Sequence, residues 1–332
     1  LEVIAKNMCA KCRRISAADE STGTMDKRLK SVGVESTEKN RLHFRETLFT
    51  ADGMKDYIGG VILFDETIRQ KIHSGISVPE LLEKNNSVVG IKVDKGAKQL
   101  AGSPEETITE GLDGLRERLN EYYKLGARFT KWRAVYKIGS KKPSAQSIKS
   151  NAHALARYAA IVQEANMVPI VEPEILMDGD HDIDVCYKVT TNVLNECYNE
   201  LAVQRVSLKG TVLKPNMVIP GTKNSKKVSS EEIAKKTLDC LKKNVPNEVP
   251  GIAFLSGGQS EQEASKNLDA INKINNTNFL ITFSYGRALQ QSALKTWSKE
   301  MSNIKAIHNV FNHRSKMNSL ASKGEWSQSL EI

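Results

Sequence analysis

A chain of 332 residues, 39% hydrophobic and 26% charged, has the length and core content of one large α/β domain and excludes a disordered or fibrous class. It has no run of 18 apolar residues, and the opening LEVIAKNMCAKCRR lacks the apolar core of a signal peptide, so neither a membrane span nor a secretory leader is expected. The formal charge of +9, from 48 basic against 39 acidic side chains, is spread along the chain with few interleaved aromatics. That pattern favours a solvated basic surface over a footprint for nucleic acid or acidic filaments.

Taken in chain order, the first feature is a C-x-x-C formed by Cys9 and Cys12. Neither a partner pair nor a thioredoxin-like βαβ setting accompanies it. With Cys186, Cys197 and Cys240 it makes an odd, scattered set that fits free thiols in a reducing compartment.

Eight short apolar runs follow: RISAADE (14–20), IGGVILFDE (58–66), SVVGIKVDKG (87–96), GARFTKWR (126–133), MVPIVEPEI (167–175), LKGTVLKP (208–215), PGIAFLSGG (250–258) and FLITFSYGR (279–287). Between them lie helical patterns, expected over 104–126, 151–166 and 229–243, the last opening with Ser229 three residues before Glu232 as a capping box does. Strands apolar on both faces that alternate with helices imply a parallel sheet. Eight such units predict a single (β/α)8 TIM barrel of class α/β, because an open sheet would leave edge strands and no G-x-G-x-x-G turn is present. One domain over 1–332 is expected, with 315–332 as a C-terminal tail region.

Ionisable and polar residues stand at the strand ends: Asp19 and Glu20, Asp65 and Glu66, Lys92 and Asp94, Lys131 and Arg133. The series continues through Glu172 and Glu174, Lys214, Ser256, and Ser284 with Arg287. In a parallel barrel these are expected to converge on one mouth. Strand ends are polar anyway where they meet water, which accounts for one or two of them. It does not account for pairs such as Lys92–Asp94, Lys131–Arg133 and Glu172–Glu174, each sharing a strand face.

Lys214 ends a buried run in 210–221, GTVLKPNMVIPG. A lysine there either binds an anion or attacks a carbonyl as a partly desolvated amine near a second cation such as Lys131. Glu172 or Glu174, on the intervening strand, could serve as the acid/base that removes the carbinolamine hydroxyl, and Asp19 is the best placed base for a departing hydroxyl proton. The turn after Ser256, with Gly257, and the turn carrying Gly286 and Arg287 bring backbone amides and a guanidinium to the last two strands, where this fold commonly binds phosphate. Ser21, Thr24, Arg28 and Lys92 offer a second set opposite. For Arg28 and Lys92, pairing with neighbouring carboxylates is the alternative.

Read together, ISAADESTGTMDKRL, GGVILFDET, GIKVDKG, TKWR, PIVEPEILMDGDHD, GTVLKPNMV, FLSGGQSEQEAS and TFSYGRALQ resemble, in this order, the motifs of class I (Schiff-base) fructose-bisphosphate aldolases. The resemblance spans about 15–323. It implies a (β/α)8 barrel, a cytosolic homotetramer of glycolysis and gluconeogenesis, and cleavage of fructose 1,6-bisphosphate to dihydroxyacetone phosphate and glyceraldehyde 3-phosphate. By resemblance Lys214 is the Schiff-base lysine and Lys131 assists carbinolamine formation. Glu172 is the general acid/base with Glu174 beside it, and Asp19 is the base for the hydroxyl on carbon 4. Ser256, Gly257, Gly286 and Arg287 match the 1-phosphate site, and Ser21, Thr24, Arg28, Lys92 and Arg133 the 6-phosphate end. Asp113 matches a subunit-interface position.

This sequence departs from the family's usual serine at Thr24 and leucine at Ser16. Vertebrate members carry a flexible tail ending in tyrosine that assists proton transfer; the sequence here ends at SKGEWSQSLEI (322–332), with Trp326 in the tyrosine-like place, so either a further tail carries that tyrosine or the proton is moved without it. No cofactor or metal is implied: the six histidines lack metal-ligand spacing, and DGDHDID (178–184) has Ile183 where a calcium loop needs glycine, so it reads as a capped helix start. The surviving rival is a basic scaffold protein for polyanions with vestigial barrel chemistry.

Overall fold

The computed structural model describes residues 1–10 and 14–331; Cys12, and with it the C-x-x-C pair, lies outside the described residues. The strands are β1 (Ile15–Ala18), β2 (Gly60–Leu63), β3 (Val88–Lys92), β4 (Ala97–Leu100), β5 (Ser103–Thr109), β6 (Phe129–Tyr136), β7 (Val168–Ile175), β8 (Val212–Leu213), β9 (Gly251–Phe254) and β10 (Leu280–Tyr285). Eight of them close into a barrel in the order β1-β10-β9-β8-β7-β6-β3-β2, with every neighbouring pair parallel. Each run expected as a strand supplies one barrel strand, and helices return the chain outside. The fold is a (β/α)8 barrel.

Inward-pointing residues alternate along each strand and fill the interior. Ile15, Ala17, Ile62, Phe129, Val168, Ile170, Val212 and Ala253 pack as one cluster, floored by Ala5, Met8 and Cys9 from the helix Glu2–Cys9. Close approach there depends on glycine. A Cβ at residue 251 would stand 2.3 Å from Cys9 Sγ. Burial pushes the Cys9 thiol up to about 12, so its place is that of a small core residue and not of a reactive thiolate. The outward faces of the strands pack against the helices in a second, larger core.

Three local expectations need correction. The stretch 104–126 is not one helix: β5 occupies its start, pairs antiparallel with β4, and the helix is confined to Leu115–Lys124. Thr107, Ile108 and Thr109 are β-branched, while Gly111 and Gly114 adopt positive φ of 134° and 66° that stops a helix between them. Glu106, which helical reading places on a surface, is buried and accepts from Ser144 N at 2.8 Å and Ser103 Oγ at 2.8 Å.

The second concerns strand ends: Asp65 and Glu66 do not line the catalytic cavity, and Asp65 borders an adjoining cavity that shares Ser21, Thr24, Lys92 and Arg133 with it. The two acids open the short helix Asp65–Ile68 and pair with Arg69 and Arg41. The third is the tail region from 315. Its first residues complete the helix Ile304–Ala321, and the chain then folds back. Trp326 is 5% exposed and donates its indole N–H to Glu331 Oε1 at 2.8 Å, and Arg314 grips both Glu331 oxygens at 2.9 and 2.6 Å.

The helix starts behave as capping predicts. Ser229 accepts from the Glu232 amide at 3.2 Å, the side-chain-to-amide half of a capping box, and Asp182 accepts from Val185 N at 2.9 Å within 178–184. Among the described residues no helix is long and apolar enough to cross a membrane.

Candidate active site

A cavity of about 590 Å³ opens at the C-terminal ends of the barrel strands. It brings together the fourteen residues given catalytic or substrate-binding roles from the sequence: Lys214, Glu172, Lys131, Asp19, Glu174, Ser21, Thr24, Arg28, Lys92, Arg133, Ser256, Gly257, Gly286 and Arg287. Glu20, Ser284, Lys27 and Gln291 also line it.

Register explains the convergence. Arg133 pairs with Glu172 across β6–β7, and Lys92 with Lys131 across β3–β6, which sets these side chains at neighbouring heights. β8 is only two residues long, yet its ladder continues: Lys214 N donates to Val171 O at 2.8 Å. Just beyond, the side chain of Asn216 accepts from Ile175 N at 3.1 Å and donates to Thr190 Oγ1 at 3.2 Å, pinning the segment that carries Lys214 to β7 and the helix Ile183–Val203. Pattern reading missed Asn216. Its only signal was a polar side chain inside an otherwise apolar run.

Lys214 Nζ lies 3.2 Å from Glu172 Oε1. Glu172 Oε2 is 3.3 Å from Lys131 Nζ, close enough to pair electrostatically but without hydrogen-bond alignment, and Lys131 Nζ is 2.7 Å from Asp19 Oδ2. The result is a relay Lys214–Glu172–Lys131–Asp19, with exposures of 4%, 3%, 4% and 8%.

Two cations and two carboxylates this deep are tolerable only because each is paired. Burial alone would raise the Asp19 carboxyl, but the Lys131 and Lys214 ammonium groups outweigh it and hold its pKa at about 2. Burial alone would lower Lys131, and the carboxylates of Asp19, Glu172 and Asp94 reverse that, keeping it above its usual range. At neutral pH the mouth therefore holds an ionised Asp19 against a protonated Lys131.

Around this relay stand the anion-facing groups. Lys92 donates to Asp94 Oδ1 at 2.6 Å and to its carbonyl at 2.8 Å, while Asp94 Oδ2 accepts from Arg133 N at 3.2 Å. Arg133 is paired with Glu174, and Arg28 with Glu20. The pairing alternative thus holds for Arg28 and Lys92 together with their place at the mouth. A Cβ at residue 257 would come within 3.0 Å of Glu174 Oε1, so glycine there lets backbone approach the carboxylate.

The two phosphate-like turns differ. The helix Glu261–Ile274 is closed by a reciprocal Ser260/Glu263 capping box, which engages the Ser260 and Glu263 amides. The helix Arg287–Lys299 starts at Gly286 with no side-chain cap, leaving its N-terminus turned to the cavity with Arg287.

The chemistry open to this arrangement is covalent attack by a buried amine on a carbonyl flanked by anionic groups. The family described as "Fructose-bisphosphate aldolase class-I" matches residues 1–331. The "Fructose-bisphosphate aldolase, cytoplasmic isozyme 1" of Pisum sativum is 53% identical over 323 residues, covering 97% of this chain and 90% of the pea protein. A Xylella fastidiosa protein named "Probable fructose-bisphosphate aldolase class 1" is 51% identical over 323 residues, 97% of each chain. Among solved structures, fructose-bisphosphate aldolase from Plasmodium falciparum, in complex with TRAP and a small-molecule inhibitor, superposes with a TM-score of 0.96 at 45% identity, over 98% of this chain and 94% of that one. With barrel, buried lysine relay and full-length similarity in agreement, this chain belongs to the class-I fructose-bisphosphate aldolase family.

Proposed function

We propose that this protein cleaves fructose 1,6-bisphosphate reversibly to dihydroxyacetone phosphate and glyceraldehyde 3-phosphate through a Schiff base on Lys214. The observation that carries the reading is the buried contact between Lys214 Nζ and Glu172 Oε1 at 3.2 Å, inside a mouth lined by cations. Lys214 attacks the C2 carbonyl carbon, and Glu172 protonates the carbinolamine hydroxyl, which leaves as water. The protonated imine accepts the electron pair of the C3–C4 bond while Asp19 takes the C4 hydroxyl proton. Glyceraldehyde 3-phosphate departs, and the enamine is protonated at C3. Water then adds to the imine and releases dihydroxyacetone phosphate.

Lys131, held between Asp19 and Glu172, spans the bond-making and bond-breaking ends. Ser256, Gly257, Gly286 and Arg287 hold the 1-phosphate, and Ser21, Thr24, Lys92, Arg133 and Arg28 serve the other end. Lys92 and Arg133 are there held in place by Asp94 and Glu174. A role in glycolysis and gluconeogenesis within the cytoplasm follows from the same reading, supported by the cytoplasmic isozyme of pea. A homotetramer is also proposed. Asp113, at the family's interface position, is exposed on the loop before the helix Leu115–Lys124. Light scattering should return about four times the 36.8 kDa chain mass, and a monodisperse monomer would refute the assembly.

The decisive experiment is borohydride reduction in the presence of dihydroxyacetone phosphate, followed by peptide mapping. The triose adduct should fall on the peptide TVLKPNM (211–217), and Lys214→Met should lower cleavage by several orders of magnitude while the barrel still folds. Adduct on Lys131 or Lys92, or near-normal turnover in Lys214→Met, would overturn the mechanism.

A further inference from the structure

Asp19 and Glu20 leave β1 as neighbours and face different ways. Asp19 meets Lys131, whereas Glu20 is gripped by two arginines that arrive from outside the barrel. Arg45, on the helix Glu38–Phe49, is 2% exposed. Its Nη1 donates to Thr67 Oγ1 at 2.8 Å and its Nη2 to the Glu20 backbone carbonyl at 2.8 Å, with Glu20 Oε2 a further 3.7 Å contact. The other Glu20 oxygen holds Arg28, which also donates to Gln290 Oε1 at 3.3 Å; Gln290 in turn donates to Ala17 O at 3.0 Å, back on β1. Arg28 Nε and Nη2 are buried without a partner among the described residues, and Arg28 lines the cavity.

A guanidinium whose two terminal nitrogens are tied to different elements acts as a rigid fork. Arg45 bridges Thr67, just past β2, to the carbonyl directly after Asp19, so the peptide carrying Asp19 cannot shift without breaking a buried charge-assisted bond. The Glu20 carboxylate transmits the same constraint to Arg28, whose side chain lines the cavity. None of these Arg45 atoms reaches the cavity lining, so its influence on chemistry passes through Glu20. We infer that Arg45 is a positioning residue of the active site, which through Glu20 fixes Asp19 for proton abstraction and Arg28 for anion binding. The inference rests on the reading of Asp19 as the base for carbon–carbon cleavage.

Imine formation by dihydroxyacetone phosphate uses Lys214 and Glu172; cleavage additionally needs Asp19. The two readouts therefore separate. Arg45→Lys keeps the charge but loses the fork. It should lower kcat for cleavage of fructose 1,6-bisphosphate by about 10- to 100-fold, the range for a base displaced by about an ångström. Borohydride trapping of dihydroxyacetone phosphate on Lys214 should stay close to the wild-type yield. Thr67→Val, which removes the hydroxyl orienting Arg45 at nearly constant volume, should shift the ratio of cleavage to trapping the same way and less far. It decides the matter if Arg45→Lys fails to fold. Unchanged cleavage in a folded variant, or cleavage and trapping falling in parallel, would overturn the inference. Absence of any Lys214 adduct in the wild type would instead strike the imine reading itself, and the inference with it.

Discussion

At the scale of single residues the mouth is governed by which charge each group keeps. Asp19 has its pKa lowered from the ordinary 3.8 to about 2, against the burial that would raise it, by Lys131, Lys214 and Lys92. Because the folded value lies below the unfolded one, its contribution to stability is complete above about pH 5 and is lost as pH falls through 3.8 towards 2. The size of that contribution is about 2 kcal/mol. The difference in unfolding free energy between wild type and Asp19→Asn should therefore be constant above pH 5 and shrink by about that amount towards pH 2. A difference that does not change over this range would show that Asp19 is not held ionised by its lysines. The catalytic candidates were legible because each is an ionisable group at the end of an apolar run, where physics demands a partner. Glu20 was visible as the neighbour of Asp19, and Arg28 as a cation able to pair with a neighbouring carboxylate, but Arg45 was not. Arg45 sits in a helix with no sequence signal separating it from Arg41, and only the fold brings it under β1.

Among elements, legibility tracked periodicity. All eight barrel strands stood out, even β8, whose two ladder residues lie in a longer apolar run. The β4–β5 hairpin was hidden because its charged residues imitate a helix, and β5 is anchored by contacts with Ser144 and Arg133, distant in sequence. Thr109 Oγ1 donates to Arg133 O at 2.7 Å, so the hairpin braces the strand that presents Lys131. The helix Glu2–Cys9 was equally unannounced as the barrel floor. Its docking hinges on residue 251, where a Cβ would stand 2.3 Å from Cys9 Sγ and 2.4 Å from Cys9 Cβ. Neither strand nor floor can yield without loss of interior packing. Gly251→Ala should lower stability by about 1–3 kcal/mol, the usual cost of overpacking, seen as a reduced denaturant midpoint. The mouth lies at the opposite end of the barrel, so kcat in the remaining folded protein should be near wild type. A midpoint equal to wild type would mean that the floor helix is not packed as described.

For the molecule as a whole, charge is organised at two ranges. The chain carries a formal +9, and the cavity is lined by seven cationic side chains (Lys27, Arg28, Lys92, Lys131, Arg133, Lys214, Arg287) against four acidic ones (Asp19, Glu20, Glu172, Glu174). Asp19, Glu20 and Glu172 are committed to buried pairs and Glu174 to the half-exposed Arg133, so a net positive field faces solvent at the mouth while the catalytic relay beneath is internally neutralised. Capture and chemistry are thereby separated: the outer field draws in an anionic sugar, and the paired interior decides what happens to it. Screening tells the two apart, since the Debye length shrinks from about 30 Å at 0.01 M to about 8 Å at 0.15 M salt. Raising ionic strength across that range should lower kcat/KM for fructose 1,6-bisphosphate while kcat barely moves, because buried pairs are screened far less than the mouth. Fructose 1-phosphate, with one phosphate fewer, should show a shallower dependence of kcat/KM on salt. Equal slopes for the two sugars would mean that capture does not depend on the long-range field, and a kcat falling in step with kcat/KM would place the salt sensitivity in the relay itself.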